Sequence, residues 1–162
     1  MTERVVGVDL NPDYVLHART RFAHRIPLLE LLVGDVQKDD FSFAPVELVF
    51  AGLLFEYVDA EAVLAKIRAM LCPGGMLLTV VQLPSATISE VTPSQFASLG
   101  ALSSVMRLVP PKLLRQLAAA HRYHETEAQT LKAAGGKEFQ IQAFRLATPN
   151  HRLQPTPASG RD

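Results

Sequence analysis

The stretch RVVGVDLNPDYVLHAR, residues 4–19, decides the class of fold. Its first part, Arg4-Val5-Val6-Gly7-Val8-Asp9, is short, rich in β-branched residues, apolar on both faces and closed by an acid. That is the pattern of a strand buried in a parallel sheet. Asn11-Pro12-Asp13 follows as a helix start, with Asn at the N-cap, Pro at the first helical position and an acid in the first turn. Val15, Ala18 and Phe22 mark the apolar face of a helix that must end before Pro27. A buried strand leading directly into a helix is the unit of an α/β sheet.

Outward from this unit the pattern repeats. Leu28 to Val33 reads as a second strand stopped by Gly34-Asp35, and Val46 to Leu54 as a third, nearly all apolar. Asp59 caps a helix whose apolar positions are Val63, Leu64, Ile67, Met70 and Leu71. Pro73-Gly74-Gly75 is a tight turn, and Met76 to Leu83 is a fourth strand. Helices alternating with wholly apolar strands predict a parallel α/β sheet.

From Pro84 the composition changes. Thr92-Pro93-Ser94-Gln95 resembles a capping box, and Phe96, Leu99, Leu102 and Met106 share one side of the helix it would open. Pro110-Pro111 restarts the chain, and Leu113, Leu114, Leu117 and Ala118 continue as a helix to about His121. Beyond it, Glu125 to Ala134 contains good helix formers, yet Tyr123 onward also reads as a strand turning at Gly135-Gly136 into Glu138–Leu146. Paired glycines suit a hairpin turn, and Phe139, Ile141 and Ala143 alternate with Gln140 and Gln142, so an antiparallel hairpin is expected. Residues 148–162 carry three prolines and little apolar content, and are expected to form a flexible tail.

Composition bounds the function. The 162 residues suit one domain, and sixteen Lys+Arg balance sixteen Asp+Glu. A zero net charge argues against a general binder of nucleic-acid backbones. The longest apolar run, Val46 to Phe55, is broken by Glu47 and falls short of the ~20 residues that span a bilayer. One cysteine, Cys72, excludes an intrachain disulfide. With no secretory pattern at Met1-Thr2-Glu3-Arg4, a cytoplasmic chain with neither a membrane nor a nucleic-acid partner is expected.

Two acids stand out. Asp9 closes a parallel strand ahead of a helix, where doubly wound sheets bind nucleotides, and its carboxylate can accept both hydroxyls of a ribose. It can equally serve the helix cap, and alone it does not separate NAD from other adenosine cofactors. Asp35, 26 residues on, closes the next strand and can accept from an adenine amino group. His121-x-x-His124-Glu125 lacks a third and fourth ligand at metal-site spacing, so no metal is assigned. No side chain singles itself out as a catalytic base.

Leu71-Cys72-Pro73-Gly74-Gly75-Met76-Leu77-Leu78 resembles the L-x-P-G-G-x-L helix-to-strand turn of class I S-adenosylmethionine-dependent methyltransferases. VVGVDLNPDYVLHAR is similar to that family's second strand and following helix. LLVGD resembles its third-strand end, ELVFAGLLFEYVD its fourth strand and exit loop, and GGKEFQIQAFRL its closing antiparallel pair. The resemblance covers roughly residues 4–147 and implies a Rossmann-like, mostly parallel sheet with a C-terminal antiparallel hairpin. It also implies S-adenosyl-L-methionine as cofactor and methyl transfer to a small-molecule acceptor. Asp9 would hold the ribose hydroxyls with Leu10 against the adenine, and Asp35 the adenine amino group with Val36 giving backbone contact. Ala51, Gly52 and Leu53 would lie beside the methionine part, with Glu56 and Tyr57 on the acceptor side. Residues 84–110 fall where the family often inserts a lid, although the same residues also read as plain core.

The family opens with a strand and a glycine-rich loop, and this sequence starts at the segment that follows them. The first β–α unit is therefore expected to be absent, making residues 1–147 an incomplete domain. That leaves a gap between the strands Arg4–Asp9 and Val46–Leu54. The alternative function is then a truncated, non-catalytic module that binds partners or oligomerises, as a homodimer covering the gap.

Overall fold

The computed structural model describes residues 3–85 and 105–148. The elements are β1 (Arg4–Asp9), α1 (Pro12–Phe22), β2 (Leu28–Val33), β3 (Val46–Gly52), α2 (Ala60–Met70), β4 (Leu71–Gln82), α3 (Pro111–Ala120), β5 (Tyr123–Lys132) and β6 (Glu138–Leu146). The helix starts follow from their caps. Asn11 Oδ1 accepts from the Asp13 N–H at 2.9 Å, and Asp59 Oδ1 accepts from the Ala62 N–H at 2.8 Å. Each bond satisfies an N–H that the first turn leaves without a partner.

The strands form two sheets. β1 and β2 pair in parallel, with Arg4 opposite Leu28 and Asp9 opposite Val33. The second sheet runs β3-β4-β6-β5, its β3–β4 ladder parallel and the other two antiparallel. The expected C-terminal hairpin is present, with Tyr123 opposite Leu146 and Lys132 opposite Glu138. Its ladder excludes a helix over residues 125–134. Gly136 takes φ +82° in the connecting turn, a conformation that costs glycine no Cβ clash.

Three local features differ from the sequence reading. The Pro73-Gly74-Gly75 turn lies inside β4, because Val46 pairs with Leu71 and Leu48 with Met76, so the ladder resumes beyond a bulge. Leu71 accordingly leaves the helix face and opens the strand. β3 ends at Gly52, two residues short of Leu54. The expected helix starting at Thr92 falls largely outside the described residues, as does most of the 148–162 tail.

The core sits between α2, α3 and one face of the four-stranded sheet. Val63, Leu64 and Ile67 of α2 and Leu114 and Ala118 of α3 pack in one cluster with Leu77, Val81 and Phe144. α2 and α3 thus pack together with inward side chains of β4 and β6. β1 and β3 each have one ladder partner, so each keeps an open edge among the described residues. The side of β3 away from the core is uncovered, leaving Leu48 54% and Phe50 66% exposed. Arg4 Nη2 donates to the Ala44 and Pro45 carbonyls, which holds the start of β1 near the start of β3.

Truncating Leu64 removes a side chain with no solvent exposure from the centre of this cluster. Leu64→Ala is expected to cost about 2–5 kcal/mol in chemical denaturation, the range for buried leucines. The same truncation at the exposed Leu48 should cost far less.

Candidate functional site

Parallel strands bring their carboxyl ends to one edge of a sheet, and in open α/β folds ligands bind beyond that edge. In the β1–β2 sheet Asp9 closes β1 with Leu10 after it, and Gly34, Asp35 and Val36 follow β2; in the second sheet Gly52 closes β3 with Leu53 after it. The Gly34 N–H donates to the Asp9 carbonyl at 3.0 Å, which fixes the ends of β1 and β2 side by side.

Asp9 is exposed, and its Oδ1 accepts from the Asn11 N–H at 2.8 Å. It therefore steadies the turn into α1, as the cap reading holds, while its other oxygen faces no protein donor among the described bonds. Leu10 beside it is 69% exposed, an apolar side chain held out over the site edge.

Asp35 is set more firmly. Its Oδ1 accepts from the Gln37 N–H at 2.9 Å, and its Oδ2 lies 3.0 Å from Lys38 Nζ. The Gln37 backbone bond, followed by Lys38, holds this carboxyl below the usual aspartate range. The Asp35 N–H donates to Asp39 Oδ2 at 2.8 Å, so the turn is closed from both sides. Gln37 Oε1 in turn accepts from the Asp59 N–H at 2.8 Å, joining the exit of β2 to the cap of α2. Gln37 and Lys38 escape a sequence reading, since nothing in Val36-Gln37-Lys38 distinguishes them from a solvated turn.

At the end of β3, Ala51 is buried opposite Thr79, and Gly52 pairs with Val80. The Phe50 ring lies over Gly52 so closely that a Cβ there would stand 2.8 Å from it, which excludes any larger residue without movement of the ring. Leu53 adopts φ +55°, unusual for a residue with a side chain, and its N–H donates to the Val80 carbonyl at 2.8 Å. Strain of this kind turns the chain sharply out of the sheet at the site edge.

Glu56 and Tyr57 follow in the exit loop. Glu56 is buried, 1% exposed, and its Oε1 accepts from the Gln82 N–H at 2.6 Å. Burial pushes its carboxyl above the usual range, opposed by the Gln82 bond. Burial, and then the Glu56 charge, raise the half-buried Tyr57 phenol. Gln82 is the partner that sequence reasoning missed; its signal is a polar residue inside the apolar run Thr79-Val80-Val81-Gln82-Leu83.

The histidine motif behaves differently. Glu125 is taken up by Arg115 and by Gln142 Nε2, the latter at 2.6 Å, within the α3–hairpin packing. Among the described residues no group of three or more His, Cys, Asp and Glu could hold a metal ion.

Residues 1–75, from β1 to the bulge of β4, match the family model of a methyltransferase domain. None of the curated proteins compared matches the chain. Among solved structures, the N-methyltransferase NodS of Bradyrhizobium japonicum WM9, in complex with S-adenosyl-L-homocysteine, superposes with a TM-score of 0.63 at 16% identity. The match covers 88% of this chain and 66% of NodS. The [4+2]-cyclase SpnF gives 0.66 at 11% identity, over 90% of this chain and 67% of SpnF. A SAM-dependent methyltransferase of Methanosarcina mazei gives 0.64 at 13%, over 90% of this chain and 83% of that one. The chain therefore spans about two thirds of NodS and of SpnF. The chain shares the Rossmann-like fold of these structures, and its first 75 residues, under half of its length, match a methyltransferase-domain model.

The lowered Asp35 carboxyl carries a stability prediction. Its contribution is present above the ordinary aspartate value of 3.8 and is lost as pH falls through the depressed folded value. Asp35→Asn should unfold more readily than the wild type at neutral pH, and the gap should close in acid. Thermal unfolding across pH 2–7 (roughly the span over which carboxylates titrate) measures it.

Proposed function

We propose that this chain binds S-adenosyl-L-methionine at the carboxyl edge of β1, β2 and β3 and serves methyl transfer to a small-molecule acceptor. The observation that carries this reading is the pairing of Asp9 with Asp35 at the ends of two adjacent parallel strands, one carboxylate open and the other held ionised. The residues fit the group: a carboxylate for ribose hydroxyls at Asp9, an exposed apolar neighbour in Leu10, and an acceptor for the adenine amino group at Asp35 with the Val36 backbone beside it. Ala51, Gly52 and Leu53 supply the turn beside the methionine part, and Glu56 and Tyr57 the acceptor side. NodS, of the same fold, is described with S-adenosyl-L-homocysteine, which supports the choice of cofactor.

When bound, the cofactor supplies a methyl group on a sulfonium, a leaving group that departs as a neutral thioether. This chain's own part is then to orient and to exclude water, since such displacements gain most from alignment. The cap bond to Asn11 keeps the Asp9 carboxylate in one rotamer, and Lys38 and Gln37 do the same for Asp35. The phenol of Tyr57, kept protonated by its surroundings, can donate a hydrogen bond on the acceptor side. The balanced charge supports a small acceptor over a nucleic acid, and the function is assigned to the cytoplasm. Among the described residues no helix is long and apolar enough to cross a membrane.

Titration calorimetry with S-adenosyl-L-homocysteine tests the reading. Binding is expected, with Asp9→Asn and Asp35→Asn each weakening it by about tenfold or more, the scale of a hydrogen bond to a charged group. A folded sample that gives no heat at about millimolar ligand, where affinity falls to ~4 kcal/mol, would sink it. Tighter binding of NAD than of S-adenosyl-L-homocysteine would replace it with a dinucleotide reading.

A second reading rests on the open edges of β1 and β3. Strand edges with apolar faces recruit further strands, so a non-catalytic module could cover the gap as a homodimer. Light scattering separates the two: a dimer without cofactor binding supports the module, and a monomer that binds cofactor rules it out.

A further inference from the structure

Glu56 stands where three stretches of backbone meet. It lies in the loop leaving β3, and its Oε1 accepts from the N–H of Gln82, the last residue of β4, at 2.6 Å. Its own carbonyl accepts from the N–H of Arg107, just ahead of α3, at 2.8 Å. One residue thus ties the exit of β3 to the end of β4 and to the approach of α3. A bare backbone contact would have sufficed for that if position were all that mattered. Instead a titratable side chain is buried there, at 1% exposure, between Phe55, also 1% exposed, and Tyr57.

The chemistry of the burial is specific. Oε1 has a single N–H, and Oε2 is buried with no hydrogen-bond partner among the described residues. Burial away from water raises this carboxyl, with the Gln82 N–H and the Glu56 backbone N–H opposing the rise. Among the described residues, the causes acting on it include no neighbouring cation. From its own loop the facing titratable group is the Tyr57 phenol, which is neutral. From β4 it is Gln82, whose Oε1 accepts from Lys137 Nζ at 3.4 Å, so that ammonium lies beyond the amide. From the α3 approach Arg107 contributes its backbone, and its residue is exposed.

We propose that Glu56 is the positioning residue of the acceptor side, a buried carboxyl that pins the β3 exit loop to the end of β4 and so holds Tyr57 in place. This rests on the methyl-transfer reading for what Tyr57 faces, and not for the clasp itself. Glu56 touches backbone and not acceptor, so its effect runs through the loop it fixes. Gln at this position keeps an acceptor oxygen for the Gln82 N–H; Ala removes it.

The test compares Glu56→Gln and Glu56→Ala in the full chain. Amide exchange at Gln82 reads the clasp directly. Glu56→Gln should keep its protection within about twofold of wild type, and Glu56→Ala should lose tenfold or more, the worth of ~1.4 kcal/mol. The pH profile follows from the raised carboxyl. Its stabilisation is whole below the ordinary glutamate value of 4.5 and is lost as pH rises through the folded value. Wild-type thermal stability should therefore fall relative to Glu56→Gln as pH rises, a change that a purely steric role would not produce. In spectrophotometric titration of the tyrosines, at the alkaline pH where the Glu56 carboxyl has lost its proton, Glu56→Gln should lower the Tyr57 phenol by removing that charge. Wild-type protection at Gln82 in Glu56→Ala, or equal losses in both variants, overturns the clasp. A wild type and Glu56→Gln with parallel pH profiles overturn the role of the buried carboxyl, even where Glu56→Ala does not fold. Exchange, unfolding and tyrosine titration need no ligand, so a chain that fails to bind cofactor overturns the methyl-transfer reading and leaves these results standing.

Discussion

The ladder position of β4 constrains everything else in this molecule. It takes β3 in parallel on one edge and β6 antiparallel on the other, so it must be apolar enough to be central and regular enough to serve two registers. Leu77, Thr79 and Val81 alternate toward α2 and α3 with 0% exposure, while Leu78 and Val80 face the other way. Burying side chains of this size contributes about 1.5–3 kcal/mol each, far more than the caps or surface ion pairs contribute. The bulge at Pro73-Gly74-Gly75 is the local cost of entering this position from α2. A Cβ at Gly75 would stand 2.9 Å from the Cys72 carbonyl, so the turn accepts no side chain there. The end of the same strand delivers the Gln82 N–H to Glu56 and the Val80 carbonyl to Leu53. The core strand thereby sets the site edge.

β1 and β2 stand under a weaker constraint. They share one parallel ladder and are covered by α1, whose single buried residue is Val15. Two-stranded sheets are marginal on their own. This pair is held to the rest of the fold by Arg4 on the Ala44 and Pro45 carbonyls, by Gln37 on the Asp59 N–H, and by Lys66 on the Asp39 carbonyl at 2.7 Å. These are polar links, each worth about 1 kcal/mol net. Val36, just after β2, adds an apolar contact by packing against the core cluster. A ligand bridging the ends of β1, β2 and β3 would bind the closed arrangement preferentially and stabilise it by mass action.

Much of this was legible in the residues. Strands announce themselves where both faces are apolar, as in Val46–Gly52, and helices where a cap residue precedes a 3.6-residue stripe, as in Asp59 ahead of Val63, Leu64 and Ile67. The hairpin was the harder case, because Glu125 to Ala134 contains good helix formers. The ladder to β6 decides it, a long-range pairing that local propensity does not encode. For the same reason Asp9 and Asp35 are visible as acids at strand ends, while Gln37, Lys38 and Gln82 are not. Their roles depend on which strand end lies beside which, and that is a property of the sheet order.

The fold by itself does not fix the chemistry at the edge. A methyltransferase and a [4+2]-cyclase superpose on this chain about equally well, with TM-scores of 0.63 and 0.66. Function on such a scaffold resides in the side chains grafted on its loops. In this chain those side chains divide into two kinds. Asp9, Leu10 and Asp35 present exposed or half-buried groups outward and can meet a ligand directly. Glu56 turns its carboxyl inward onto backbone, and Leu53 accepts a positive φ to reverse the chain. Outward groups select what binds, whereas inward ones determine how rigidly the selecting groups are held. Such a scaffold needs the second kind as much as the first. That need explains why a buried acid stands in a loop that the hydrophobic core alone would not hold.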